Sequence, residues 1–219
     1  MNFDNFTESD ASGSGGGTAT FTHTSNNVGV ILVAVMLNSV AESVTVVGYN
    51  ANPLTELYSN KVGGAAYLWV GYLVYPAAGT FNVAVNFTGS VTAFRVGAIT
   101  FSGVDETDPI GGSASNTATG GGNTSLSATP TVQGNNGIVV DFFAGVGVTT
   151  GNAASPQTEK MNNTGSWGGG SQQVGGISYQ EHSGTNVTST WENLSSGGGK
   201  LLFAVELLGT GFVPRIDIF

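Results

Sequence analysis

Apolar residues recur at every second position in short runs along this chain, and stretches of Gly, Ser, Thr and Asn separate the runs. In the clearest run, Phe81, Val83, Val85 and Phe87 alternate with Asn82, Ala84 and Asn86. Successive strand side chains point to opposite sheet faces, so one face here seeks a core and the other faces water. The same reading places strands near 18–24, 28–37, 44–49, 54–58, 65–75, 91–101, 126–132, 138–148, 173–181, 187–191 and 201–208. Runs 28–37 and 91–101 are apolar on both faces, as central strands of a covered sheet are. Glycine clusters at 120–122, 168–170 and 197–199 mark long turns. No stretch carries a helical period with capping signals, and no internal repeat stands out. The expected fold is all-β with little helix: a two-sheet antiparallel β-sandwich, jelly-roll-like, over residues 18–208. A Gly/Ser-rich flexible or docking segment at 1–17 precedes it, and a hydrophobic arm at 209–219 follows.

Composition narrows the function classes. Of the 219 residues 40% are apolar and 9% charged, against about 25% charged in ordinary domains, so the chain folds but keeps its surface wet with hydroxyls and amides. The formal net charge of −9, with Lys61, Lys160, Lys200, Arg95 and Arg215 as the only cations, lacks the basic footprint of a nucleic-acid binder. There is no cysteine for a disulfide or a thiolate metal site. The acidic N-terminus lacks the features of a secretory leader, and the apolar run 28–37 is too short to span a membrane as a helix. Neither nucleic acid nor membrane is an expected partner.

Catalytic patterns are scarce. His23 and His182 are the only histidines, and no Gly-x-Ser-x-Gly elbow accompanies them. Gly197-Gly198-Gly199-Lys200 departs from a phosphate loop, because Leu201 stands where Ser or Thr holds magnesium. Asp141, Glu181, Glu192 and Glu206 fall on different expected strands, and only convergence in space would make two of them an acid/base pair. Asp105, Glu106 and Asp108 offer oxygen ligands to calcium, or simply form an acidic turn before Pro109. Arg95 shares a strand face with Ile99 and Phe101 and, if buried, needs a carboxylate such as Asp141 or Glu206. Tyr67, Trp69, Leu73 and Tyr75 share one face, and Trp167 and Trp191 lie near glycine-rich turns. Such aromatics serve either as sugar platforms or as core packing. No metal or cofactor site is expected.

The strand end Tyr72-Leu73-Val74-Tyr75-Pro76-Ala77-Ala78-Gly79 and the loop Phe101-Ser102-Gly103-Val104-Asp105 resemble a β-sandwich module of tailed-phage virion proteins and bacterial surface proteins. The resemblance extends over about 18–208. It implies a non-enzymatic virion structural protein, a capsid decoration or cement protein made in the host cytoplasm. The partners it implies are the major capsid protein or other virion proteins, with a homo-oligomer, such as a trimer at a threefold position, as the working form. The tail supplies candidate contacts in Phe212, Val213, Ile216, Ile218 and Phe219, which are costly to expose beyond the hinge of Gly209 and Gly211. Phe3 and Phe6 are a second expected contact; the tail can instead fold back on its own domain. The alternative is a carbohydrate- or host-receptor-binding module of a tail or fibre, using Trp167 and Trp191. A glycan-active enzyme on the same sandwich ranks third.

Overall fold

The computed structural model describes residues 1–11, 17–26, 29–38, 41–63, 66–91, 94–166 and 172–210. Among these, the regular elements are all strands: β1 (Asn2–Ala11), β2 (Thr18–Ser25), β3 (Gly29–Asn38), β4 (Val44–Tyr49), β5 (Asn52–Pro53), β6 (Thr55–Val62), β7 (Ala66–Val74), β8 (Gly79–Phe87) and β9 (Phe94–Ser102), then β10 (Ile110–Thr119), β11 (Leu126–Ala128), β12 (Gly137–Val146), β13 (Asn152–Ala153), β14 (Thr158–Ser166), β15 (Gln172–His182), β16 (Ser189–Glu192) and β17 (Gly199–Leu208). Every pairing between them is antiparallel. The all-β sandwich expected from the alternation is the fold observed.

Where the sequence suggests one sandwich, the chain builds two of the same topology. The first half forms a large sheet β1-β9-β3-β7-β6 and a small one β2-β8-β4-β5; the second forms β10-β17-β12-β15-β14 and β11-β16-β13. Strand for strand, β1, β9, β3, β7 and β6 correspond to β10, β17, β12, β15 and β14. Strands β5 and β6 form one run bent at Leu54, whose first residues pair with β4 and whose remainder pairs with β7. Counting that run once, the first half nests its strands 1 with 8, 2 with 7, 3 with 6 and 4 with 5, the succession of a jelly roll. The internal repeat that the sequence conceals is therefore plain in the topology.

The two large sheets pack face to face and the small sheets lie outermost, giving four layers. Between the large sheets, Val30, Leu32, Leu68, Val70, Ile99 and Phe101 meet Ile138, Val140, Phe142, Leu201, Phe203 and Val205. Separate cores fill each sandwich, one around Val33, Trp69 and Val85, the other around Val139, Phe143 and Trp191. Each such side chain contributes about 1.5–3 kcal/mol when fully withdrawn from water. Close approach of the layers needs a bare backbone at Gly97, where a Cβ would press into Ile177 and Met161. Strand β1 lies against β14 and β15, and β10 against β6, an exchange of equivalents that a two-fold relation produces.

The outer strands of both large sheets share an irregularity. Register shifts interrupt β1 between Phe3 and Asn5, β6 between Glu56 and Tyr58, β10 between Ile110 and Ser113, and β14 between Glu159 and Met161. A bulge adds a residue to one strand and so turns two side chains three apart onto the same face. That is how Phe3 and Phe6 both reach the core between the large sheets. Residues 2–11, expected to belong to a flexible or docking segment, are thus an integral edge strand of the first jelly roll.

Candidate functional site

The aromatic contacts expected to reach partners divide into three groups. Phe3 stacks on Tyr179 at 5.8 Å with an interplanar angle of 6° and meets Phe101 edge-on at 6.1 Å, while the Lys160 ammonium sits 3.8 Å from its ring centre. Phe3 and Phe6, expected as a second partner contact, are half-buried against the fold's own core. Trp191 is fully buried against Phe143, and Trp69 is buried with its indole N–H donated to Glu56 at 2.6 Å, so neither offers a sugar platform. Phe212, Val213, Ile216, Ile218, Phe219 and Trp167 lie outside the described residues.

The charged groups with catalytic potential are spent inside the second sandwich. Asp141 lies in the middle of β12, wholly buried. Its Oδ1 accepts the Trp191 indole N–H at 2.7 Å, and its Oδ2 accepts the Ser178 hydroxyl at 2.6 Å and the Gln157 amide at 3.0 Å. Burial pushes its carboxyl up to about 6, with the surrounding Ser178, Trp191, Ser189 and Gln157 donors pulling the other way. The indole clears the neighbouring strand only because residue 176 is glycine; a Cβ there would overlap the ring. Sequence inspection missed this cluster, whose one signal is an acid inside a continuous apolar run.

Glu206 closes the other end of that interior. Its carboxylate accepts the backbone N–H groups of Gln133 at 2.7 Å, Gly134 at 2.9 Å and Gly112 at 3.2 Å. His182 Nε2 lies 3.2 Å from Glu206 Oε1, and Nδ1 accepts the Gly184 N–H at 3.3 Å, which leaves the ring proton on Nε2. Burial alone would raise the Glu206 carboxyl, yet His182 and the three amides hold it below the usual carboxylate range. The corresponding place in the first sandwich holds His23, within 3.0 Å of Thr7 and 3.3 Å of Thr100. Burial lowers that imidazole to about 4 against the opposing pull of Asp4.

Above His182 the surface dips. One cleft of about 200 Å³ is lined by Met1, Asn136, Gly137, Ile138, Glu181 and His182; a second of about 310 Å³ adjoins Pro156, Thr158, Tyr179, Gln180 and the same Glu181. The first and last described residues, Met1 and Thr210, meet at this pole. Thr210 N donates to Gly103 O at 3.0 Å, Val104 bridges Gly209, and Met1 packs beside both glycines.

The remaining candidates are structural. Asp105 Oδ1 accepts the N–H groups of Thr107 and Asp108, both at 2.9 Å, which fixes the turn and holds its carboxyl low. Among the described residues no group of three His, Asp or Glu is close enough to hold a metal. Arg95 does face the core between the large sheets, but Asp141 and Glu206 take their bonds elsewhere. Lys200 is buried, donates to Gly197 O at 2.8 Å and is lowered by that burial. The chain matches no protein-family model and no curated protein in sequence comparison.

Proposed function

We propose that this protein is a non-enzymatic structural component of a tailed-phage virion, a decoration or cement protein that binds neighbouring capsid subunits, most simply as a homo-oligomer. The observation that carries the reading is the convergence of Met1 and Thr210 on one pole. Residues 211–219, with Phe212, Val213, Ile216, Ile218 and Phe219, start from that pole. An apolar sequence continuing from one pole of the body suits strand or groove addition to another chain, and repetition over a lattice multiplies modest contacts. Phe3 and Phe6 give the same body part of its own packing. The saturated hydrogen bonding of Asp141 and Glu206 also favours a structural role over acid/base chemistry.

Removing residues 211–219 tests the reading. The truncated chain should keep the melting temperature of the full chain yet lose co-sedimentation with purified capsids. Undiminished binding by the truncated chain, or failure of the full chain to label virus particles by immunogold microscopy, refutes it.

A further inference from the structure

Strand β15 outruns its neighbour on one side. Its pairing with β14 stops at Thr158 opposite Tyr179, whereas its pairing with β12 continues to His182 opposite Gly137. Among the described residues Gln180, Glu181 and His182 therefore have no strand on their outer side, and an open ladder edge is a template for an added strand. The two clefts beside His182 and Tyr179 lie at this gap, and Glu181 lines both. Glu181 is exposed and, among the described residues, pairs with no cation.

We propose that residues 211–219 of the same chain dock in this gap as a short antiparallel strand, with Arg215 on Glu181 and Ile216 in the cleft beside Pro156 and Tyr179. The segment starts at the groove: a Cβ on Gly209 would lie 3.6 Å from Asn136 O and 3.8 Å from Met1 Cε, and both residues line the first cleft. Its reach fits. Leu208, Gly137 and His182 stand in one row across β17, β12 and β15, so an added strand beyond β15 lies three strand spacings from residue 208, about 14 Å, while the stretch from Thr210 to Arg215 extends about 17 Å. Its charge fits as well. Lys61 lies over Tyr67, Lys160 over Phe3, Lys200 is buried on the Gly197 carbonyl and Arg95 is engaged, which leaves Arg215 for Glu181.

The sequence of the segment suits an edge. Pro214 lacks an N–H and stands where such a strand would begin, and Ile216 and Ile218 alternate with Arg215 and Asp217 as in a strand with one covered face. A tether this short gives an effective concentration of about a millimolar, so the chain's own segment fills the gap ahead of a second copy's. An exposed ion pair adds little to stability. A capsid can therefore draw the segment away, a consequence that rests on the function proposed above.

Disulfide trapping tests the docking, since the chain has no cysteine of its own. Directly opposed antiparallel residues have Cα atoms about 4.5–5.5 Å apart, within the span of a disulfide. The full chain with Glu181→Cys and Arg215→Cys should close an intramolecular disulfide under mild oxidant about tenfold faster than the chain with Thr107→Cys and Arg215→Cys. Thr107 is exposed on the loop whose Asp105 N–H bonds Leu208 O at the same pole, so it reports random collision. Circular dichroism melts establish that each variant is folded, and Thr158→Cys at the second cleft replaces Glu181→Cys if that variant is not. Equal rates for the two pairs, or no disulfide, overturn the proposal. A disulfide between chains on a non-reducing gel overturns it in favour of a second copy as occupant. No capsid enters this assay, so failure of the trap and failure of capsid binding are separate results.

Discussion

Replacing Asp141 by Asn should remove a pH dependence of stability that the wild-type chain carries between about pH 4 and 7. The Asp141 carboxyl is raised from 3.8 to about 6 in the folded protein, with burial as the largest cause. A raised acid binds its proton more tightly in the folded than in the unfolded chain. Its stabilising contribution is therefore full below pH 3.8 and is lost as pH rises through about 6. With about 1.4 kcal/mol for each pKa unit, the loss amounts to about 3 kcal/mol. Urea unfolding of wild type and Asp141→Asn at pH 4, 5, 6 and 7 isolates this contribution, because every other ionisable group is common to the two proteins and cancels in the difference. The stability of wild type relative to the variant should fall by about 2–2.5 kcal/mol between pH 4 and 7, the rest of the loss lying below pH 4. A flat difference refutes the reasoning. So does one that rises with pH, which would mean that the Trp191, Ser178 and Gln157 donors outweigh burial.

Other substitutions test the remaining geometry. Gly176→Ala should destabilise by about 1–3 kcal/mol through overpacking against Trp191, whereas Gly165→Ala, where a Cβ meets nothing within 4 Å, should leave the urea midpoint unchanged. Glu206→Gln places an amide donor among the Gln133, Gly134 and Gly112 N–H groups. It should cost about 2–4 kcal/mol and accelerate hydrogen exchange at those amides; unchanged exchange would contradict their role. A circular permutant running 107–210, a short glycine linker and then 1–106 should fold with the native circular dichroism spectrum, because Met1 already lies beside Gly103 and Gly209. A permutant that stays unfolded would show that the two-fold reading of the chain ends is wrong.

The strands that the sequence announces are those with a buried face and an unbroken period of two. The run 44–49 matches Val44–Tyr49, and 28–37 lies one residue from Gly29–Asn38. The strands it hides are the outer ones of the large sheets. In β1 the bulge places Phe3 and Phe6 on one face at a spacing of three, which breaks the alternation that identifies a strand. Strand β10 has Gly, Ser, Ala, Asn and Thr after Ile110, with no bulky side chain to report a face. Strand β14 is polar apart from Met161 and is shifted beside it. The candidate site was less legible still. Asp141 and Glu206 stood out as charges in apolar strands, but the donors that saturate them come from Gln157, Ser178, Trp191 and the 133–134 turn, all distant in sequence.

The duplication was hidden because the two jelly rolls keep their topology and exchange their interiors. Val33 and Asp141 are each the fifth residue of their half's third strand, facing Ala98 and Ala204 on the last strand. Thr100 and Glu206 are each third from the end of that last strand, and each meets a histidine, His23 from β2 in one half and His182 from β15 in the other. One interior is thus nearly neutral and the other holds two carboxylates, although both close the same way. The large sheets make this asymmetry a property of the whole molecule. Either half alone would expose the faces that carry Leu32, Leu68, Ile99 and Phe101, or Val140, Phe142, Phe203 and Val205. Exposing that shared core costs more than a single buried carboxyl supplies, since each of its large side chains is worth about 1.5–3 kcal/mol. Titration of Asp141 in the second sandwich therefore sets the stability of the first as well, and a body with chemistry confined to one half still folds and unfolds as a unit.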